Sequence, residues 1–398
     1  MVTSVGTGGP RRALVVGSAV TVVCSLPVFF TGAMAVELAR DLKFGTVGIG
    51  GAVGVFFATM ALSAIHLGRL VDRLGATLSM RVAVVAGGSA ALGIALLTTS
   101  WITLAGWLVL SGLAAAFAQP AANRLLVNRV RFARLGTAFG LKQSAPPAAS
   151  MLAGLAVPAI ALTVGWRWAY GLVALAAVGV AIAVGPRPAA APRYIPRTRR
   201  ERPAPLAARR TLLVLAGGFG LAFVASSSVL AVYVDAAVHA GVSTSTAGLV
   251  FAAGSLMAIV TRLVAGVAAD RRAFRPLRLS AALLTAGAVG LALLATGHPT
   301  AMAVGAVIAL AGTWGFPGLF WFALVSAYPE SPGRVTGAMA PAAIGGVAGP
   351  VGFGALAANL GYSVAWRLAG VLAVLASAAL LYGAHRLDAR SADAEALT

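Results

Sequence analysis

The chain has 398 residues, of which 60% are hydrophobic and only 10% are charged. That composition excludes a soluble globule, which would need far more polar surface, and it predicts that lipid surrounds most of the chain. The formal net charge of +20 would favour nucleic-acid binding in a soluble domain, but here the arginines stand in short segments between apolar runs, which indicates a membrane surface.

Apolar runs of about 20 residues recur along the chain, and a helix needs about this length to cross roughly 30 Å of hydrocarbon. Runs such as 212–234 are apolar on every face, whereas a membrane β-barrel would alternate apolar and polar residues. The sequence therefore predicts an all-α integral membrane protein with twelve transmembrane helices. The predicted spans are 13–36, 46–67, 80–99, 101–126, 137–161, 166–185, 211–235, 246–268, 277–296, 299–325, 336–358 and 363–384.

Twelve is an even number, so both termini are predicted to lie on the same side of the membrane. Basic residues concentrate in the connections on that side, for example Arg69, Arg73 and Arg81 between the second and third spans. Because Lys and Arg are enriched in cytoplasmic loops, we predict a multi-pass protein of the cell inner (plasma) membrane with both termini in the cytoplasm.

Residues 186–210 interrupt the apolar pattern with repeated prolines and eight arginines against the single Glu201. This composition predicts a cytoplasmic linker between two domains, a six-helix bundle over 1–185 and a second over 211–398. We interpret the arginines as solvated determinants of topology, with contact to anionic lipid headgroups as the alternative.

Short patterns recur between the two halves at offsets of 198 to 200 residues, each at the equivalent place in its half. The clearest pair is Gly68-Arg-Leu-Val-Asp72-Arg73 after the second span and Gly266-Val-Ala-Ala-Asp270-Arg271 after the eighth. Such an internal repeat predicts two pseudo-symmetric bundles related by an axis along the membrane normal, with a solute site between them.

The run Gly68-x-Leu70-x-Asp72-Arg73-x-Gly75 resembles the signature loop of the major facilitator superfamily, and the resemblance extends over essentially the whole chain. It departs from the signature at Ala76 and Thr77, where the family usually has a basic pair. The resemblance implies the twelve-helix fold of that family and transport by alternating access.

The resemblance also implies a conformational latch that secures the cytoplasmic side when the protein faces outward. A glycine allows two helices to approach closely, and an aspartate can face the positive end of a neighbouring helix dipole. The latch residues implied in the two copies are Gly68, Asp72, Arg73, Gly266, Asp270 and Arg271.

Further motifs bear on the solute. The run Gly140-Leu-Lys142-Gln143 resembles the branch of the superfamily that contains cyanate and nitroimidazole carriers, which suggests a small and often anionic solute. In the fourth span, Leu108 stands where proton-coupled members usually carry an arginine, and the fifth span lacks the Gly-Pro motif of the drug antiporters. Multidrug proton antiport is therefore not the first prediction.

An ionisable residue within a span costs several kcal/mol unless it faces water, a partner or a substrate. Lys142 and Arg262 lie about one to two turns inside the fifth and eighth spans. In the family fold these helices adjoin, so the resemblance implies that both cations face one cavity and attract an anion. The alternative is that each long side chain snorkels to the headgroups.

The tenth span contains an aromatic cluster interrupted by glycine and proline, and such breaks are tolerated mainly where a helix lines a cavity or packs against protein. The resemblance assigns helices one, four, seven and ten to the transport pathway. Lipid-facing aromatic rings and simple interhelical hydrogen bonds are the alternatives. The further candidate substrate contacts are Gln119, Gln143, Ser227, Trp314, Phe316 and Trp321.

Two acidic residues, Glu37 and Asp235, lie at the outer ends of the first and seventh spans, 198 residues apart. They are candidates for proton coupling, with solvated boundary residues as the alternative. Because no carboxylate lies in the middle of a predicted span, the sequence leaves the coupling ion unassigned.

An enzyme is not predicted, because the chain offers no converging acid, base and nucleophile. Cys24 stands alone and the four histidines lack metal-ligand spacing, so neither a metal nor a cofactor is predicted. The sequence predicts a secondary transporter of a small organic solute. The first candidate for this solute is an anion, and the alternative is a hydrophobic drug or metabolite that the protein exports. The expected partners are that solute and membrane lipid but no nucleic acid, and a monomer is the working expectation.

Overall fold

A computed structural model describes residues 10–127, 140–185, 206–270, 275–328 and 338–396, which are almost entirely helical and contain no strand. Within these ranges, twelve helices are long and apolar enough to cross a membrane, which confirms the predicted number. We label these spans α1 to α12 in chain order. Their bounds are Leu14–Ala33, Thr46–Leu74, Ala76–Leu97, Trp101–Asn123, Gly140–Ala161, Trp166–Val184, Arg209–His239, Thr244–Ala269, Pro276–Leu294, Pro299–Leu324, Ala340–Leu360 and Tyr362–Ala389.

Several helices extend beyond their apolar spans. The helix of α1 begins at Pro10, that of α4 continues to Val127, and that of α12 reaches Ala396. The helix of α7 begins at Leu206, inside the segment predicted as a linker, since Ala and Arg are favourable helix formers. Residues 186–205 of that segment lie outside the described residues.

Two segments predicted as loops are helical. Gly68, Asp72 and Arg73 lie on the last turns of α2, and the turn to α3 is made by Gly75 at a φ of 81°. Residues 35–42, between α1 and α2, form the separate helix Ala35–Leu42. The predicted boundaries followed the end of the apolar run, whereas backbone hydrogen bonding continues through polar residues at a helix end.

The helix contacts repeat between the two halves. The helix α3 packs against α4 and α6, and α9 packs in the same way against α10 and α12. Likewise α1 contacts α4, α5 and α6, while α7 contacts α10, α11 and α12. For each of these pairs, adding six to the helix numbers of the first half gives the contact of the second half, as expected for two pseudo-symmetric six-helix bundles.

The two halves meet along the helix pairs α2–α11 and α5–α8, which are counterparts under the same symmetry. A Cβ atom built at Gly50 would lie 2.1 Å from the carbonyl oxygen of Pro350, and one built at Gly154 would lie 2.6 Å from that of Gly248. Only hydrogen atoms fit at these positions, so the helices approach to backbone contact.

The helix ends define two faces of the molecule. On the terminal face, where α1 begins and α12 ends, Arg12 donates to the carbonyl of Ala183, and Arg278 donates to Asp388 at 2.8 Å. The opposite face carries the ends of α1 and α7, and there a Cβ atom built at Gly32 would lie 2.2 Å from the Leu230 carbonyl oxygen. The halves are therefore closed against each other at the opposite face.

We expect Gly50→Ala to lower the melting temperature in detergent, because a methyl group on the α2–α11 contact must push two backbones apart, at a cost of about 1–3 kcal/mol. Gly106→Ala is the matched control, since a Cβ atom there meets no described atom within 4 Å. Equal melting temperatures for both variants and the wild type would show that this contact does not contribute to stability.

Candidate functional site

A cavity of about 440 Å³ lies between the two halves. Its lining comes from α1, α2, α4, α5, α7, α8 and α10, and it reaches the exposed Asn123 near the end of α4 at the terminal face. Seven of the eight predicted substrate contacts line it. They are Gln119, Lys142, Gln143, Arg262, Trp314, Phe316 and Trp321.

Lys142 is held inside the cavity and does not reach toward the headgroups. Its side chain is 2% exposed, and its Nζ donates hydrogen bonds to Oε1 of Gln119 at 2.5 Å and Oε1 of Gln143 at 3.2 Å. An ammonium group has three N–H donors, and these two amides use two of them. Lys142 is thus fixed between α4 and α5 with donor capacity toward the cavity.

Arg262 is fixed by the break in α10. That span consists of the helices Pro299–Gly315 and Pro317–Ala327, in agreement with the break expected from its glycine and proline. Beside the break, the carbonyl oxygen of Trp314 accepts a hydrogen bond of 2.6 Å from Nε of Arg262, which is 3% exposed. Arg262 is therefore anchored by one edge of its guanidinium group at the cavity wall.

The charge in the cavity is unbalanced. The backbones of α5 and α8 adjoin at the two cations, since a Cβ atom built at Gly140 would lie 2.8 Å from the carbonyl oxygen of Arg262. Among the described residues that line the cavity, none is aspartate or glutamate. Two buried like charges without a counter-charge repel each other and are costly to desolvate, so the site is electrostatically complementary to an anion.

Aromatic rings form another part of the cavity wall, and Phe219 on α7 is their centre. Its ring lies 5.7 Å from that of Trp321 and 5.5 Å from that of Phe316, while Phe223 continues the contact to Phe57 on α2 at 5.4 Å. Phe57, Phe219 and Phe223 were not among the residues predicted from the sequence. The spacing of Phe219 and Phe223, four residues apart on a helix assigned to the pathway, was the available signal.

The prediction for Ser227 needs correction. Its side chain is completely buried, and its hydroxyl donates to the carbonyl oxygens of Phe223 at 2.7 Å and Gly345 at 3.3 Å, so it faces α11. The neighbouring Ser226 lines the cavity instead. Consecutive side chains on a helix point in directions about 100° apart. The sequence alone does not determine how α7 is rotated about its axis, so it did not distinguish Ser226 from Ser227.

Asp235 joins the two halves at the opposite face. Its Oδ2 accepts hydrogen bonds from Thr46 of α2 at 2.9 Å and from Tyr362 of α12 at 2.5 Å, and these two hydroxyl oxygens lie 2.9 Å apart. Nδ1 of His239, one turn further along α7, lies 4.0 Å from Oδ1. We call Thr46, Asp235 and Tyr362 the clasp, because Thr46 belongs to the first half and the other two to the second.

Glu37 lies in the helix Ala35–Leu42 and is buried as well. Neither carboxylate oxygen has a hydrogen-bond partner among the described residues. Burial raises the pKa of Glu37, although its own backbone N–H and the charge of Arg40 act in the opposite direction. The carboxyl is thus less readily ionised than it would be in water.

The two copies of the predicted latch differ in their contacts. In the second copy, Gly266 packs against Gly140 across the α5–α8 interface. In the first, a Cβ atom built at Gly68 would meet no described atom within 4 Å, and Asp72 and Arg73 are exposed. The side chain of Asp270 and the whole of Arg271 lie outside the described residues. The latch therefore stays a prediction for a conformation in which the terminal face is closed.

Twelve membrane helices in two related bundles, with buried ionisable groups in a cavity between them, define a multi-pass membrane protein that holds a solute between its halves. Residues 17–342 match the family model of the Major Facilitator Superfamily. The chain belongs to this superfamily and is a secondary transporter. No protein with curated annotation matches the chain.

We expect Thr46→Val to loosen the opposite face, because it removes the hydroxyl that links the halves through Asp235. The rate of labelling by a maleimide would measure this opening. The labelled thiol is introduced by Val53→Cys in a Cys24→Ser background. Val53 is 2% exposed and lies between Gly50 and Gly54 on α2. The labelling rate should rise several-fold.

Ser63→Ala is the control for that experiment, since among the described residues the Ser63 hydroxyl bonds only within α2, to the carbonyl oxygens of Thr59 and Met60. An unchanged labelling rate in Thr46→Val would contradict a role of the clasp in closure.

The raised pKa of Glu37 makes stability depend on pH with a defined sign. The folded state binds the proton more tightly than the unfolded state, so stability falls as pH rises above the ordinary pKa of glutamate. Glu37→Gln should therefore raise the melting temperature at about pH 8 and change it little at about pH 5.

Asp41→Asn provides a comparison with the opposite sign. Hydrogen bonds from Trp166 and Arg167 lower the pKa of Asp41, so its ionised form stabilises the fold. This variant should lower the melting temperature at about pH 8. If both variants changed the melting temperature at about pH 8 in the same direction, the opposite pKa shifts assigned to Glu37 and Asp41 would be wrong.

Proposed function

We propose that this transporter carries a small organic anion through the cavity between its halves by alternating access. The observation that carries the proposal is the pair of buried cations, Lys142 and Arg262, in a cavity whose described lining has no acidic residue. A bound anion would offset the free-energy cost of burying both charges, whereas a neutral solute would leave that cost unchanged.

The amides beside Lys142 support the same solute. Both Gln119 and Gln143 accept the lysine hydrogen bond through their carbonyl oxygens, so their NH₂ groups are directed away from the ammonium. An anion in the cavity would receive hydrogen bonds from the ammonium and from amide N–H groups. The resemblance of residues 140–143 to carriers of cyanate and nitroimidazoles agrees with an anionic solute.

The transport cycle that we propose is a rocking of residues 1–185 against residues 211–398 around the anion. The described conformation has its opposite face closed by the clasp and the glycine contacts. Opening that face would break the bond between Thr46 and Asp235, and closing the terminal face would engage the latch at Gly68 and Asp72. We place the terminal face in the cytoplasm from the distribution of positive charge, and we propose the inner membrane as the location.

Protonation of Asp235 would couple a proton to this cycle. The carboxylate accepts two hydroxyl hydrogen bonds in the clasp, and a neutral carboxyl is a weaker acceptor. Protonation would therefore favour opening of the opposite face. Glu37, which is buried without a partner among the described residues, is the second candidate for this role.

Export of a hydrophobic drug or metabolite is the second candidate function, and the aromatic rings around Phe219 favour it. A neutral hydrophobic solute would contact those rings and would leave the two cations without a counter-charge. The two functions therefore differ in how binding depends on Lys142.

We expect small organic anions to raise the melting temperature of the purified wild type, because a ligand that binds only the folded state stabilises it. Lys142→Ala should weaken that binding about tenfold or more, since a hydrogen bond to a charged group contributes about 1.5–3 kcal/mol. Lys142→Arg, which keeps the charge, should retain part of the effect.

Lys43→Ala is the matched control, because Lys43 is the only other lysine and lies between the helix Ala35–Leu42 and α2, away from the cavity. Stabilisation by neutral or cationic amphiphiles alone, unchanged by Lys142→Ala, would exclude the anion and favour export of hydrophobic compounds.

A further inference from the structure

We propose that the transported anion is amphipathic, with one anionic head and a flat apolar body, and that aromatic carboxylates are its simplest representatives. This inference rests on the proposed function and specifies its substrate class. It follows from the separation of cationic and aromatic groups on different helices around one cavity.

The cationic wall belongs to α4, α5 and α8. Lys142 is held there by the amides of Gln119 and Gln143, and Arg262 reaches the same wall from α8. All of these polar side chains line the cavity and are positioned by hydrogen bonds. They fix where an anionic head binds.

The aromatic wall belongs to α2, α7 and α10. Phe219, Phe223 and Trp321 are partly exposed to the cavity, and Phe57 and Phe316 support them through edge-to-face contacts. Rings held in this way present a rigid apolar surface. A small inorganic anion at the cationic wall would leave that surface in contact with water, whereas an apolar body would cover it.

Trp314 lies where the two walls meet. The guanidinium carbon of Arg262 is 5.4 Å from the centre of its ring, and the ring of Phe29 packs edge-on at 6.0 Å. The indole N–H already donates to the carbonyl oxygen of Ser226 at 3.2 Å. Trp314 therefore offers a solute its ring and not a hydrogen bond, which suits the junction between an anionic head and an apolar body.

The internal repeat shows that the charge is confined to one side. Asp72 and Asp270 are 198 residues apart, and at this offset Lys142 corresponds to Ala340 and Arg262 corresponds to Ala64. The helices α11 and α2, which are the counterparts of α5 and α8, thus lack these cations. The cavity is bipolar because the two halves carry different residues at these positions.

The test compares benzoate with two probes that each lack one of its features. Acetate lacks the ring, and benzamide lacks the charge. Binding to the purified full-length protein is measured by calorimetry. Benzoate should bind at least about tenfold more tightly than either of the others, the scale of a few aromatic contacts or one charged hydrogen bond.

Variants then separate the two walls. Phe219→Leu should reduce the benzoate-to-acetate affinity ratio several-fold, and Trp321→Leu is a second variant in case the first is unstable. Lys142→Ala should weaken benzoate and acetate alike. Trp168→Leu, on the exposed surface of α6, should leave both affinities unchanged.

The outcomes distinguish this inference from the proposed function. If acetate binds as tightly as benzoate and Lys142→Ala weakens both, the amphipathic solute is wrong while the anion transporter stands. If benzamide binds as tightly as benzoate and Lys142→Ala has no effect, both proposals are wrong. Failure of every carboxylate to bind would also overturn both.

Discussion

Hydrocarbon offers no hydrogen-bond partner to a peptide group, so a chain that crosses it must satisfy its own backbone within each span. This requirement accounts for the twelve helices and confines polar chemistry to the space between them. The informative positions are those where the rule is locally relaxed. At the break in α10, the carbonyl oxygen of Trp314 accepts its hydrogen bond from the side chain of Arg262, which places a buried charge at the wall of the cavity.

The internal repeat explains the framework, and the departures from it explain the site. Contacts such as α3–α6 and α9–α12 are equivalent, and the glycine-mediated interfaces α2–α11 and α5–α8 are counterparts. The cations Lys142 and Arg262 have alanines at the corresponding positions, so they contribute little to the shared architecture. The scaffold is thus pseudo-symmetric, whereas the lining of the cavity is not.

The ends of α2 illustrate how such a scaffold can move. Near the opposite face, Gly50 touches the backbone of Pro350 and Thr46 bonds to Asp235 of the other half. Near the terminal face, the same helix carries Gly68, where a built Cβ atom would meet no described atom within 4 Å. One helix therefore has a small residue for close approach at each end, and within the described part of the chain only Gly50 of these two makes such a contact.

The sequence by itself determined the number of spans, the repeat and the break at Pro317, because hydropathy and spacing are local properties of the chain. It singled out Lys142 and Arg262 as charges inside spans but left a shared cavity and snorkelling to the headgroups as alternatives. It left Phe57, Phe219 and Phe223 unnoticed, assigned Ser227 in place of Ser226, and treated Gly68 to Arg73 as a loop. Only the tertiary structure decided these points and assembled the clasp. Packing between distant segments sets the rotation of each helix about its axis. It also sets the two partners of Asp235, which lie 127 and 189 residues away in sequence.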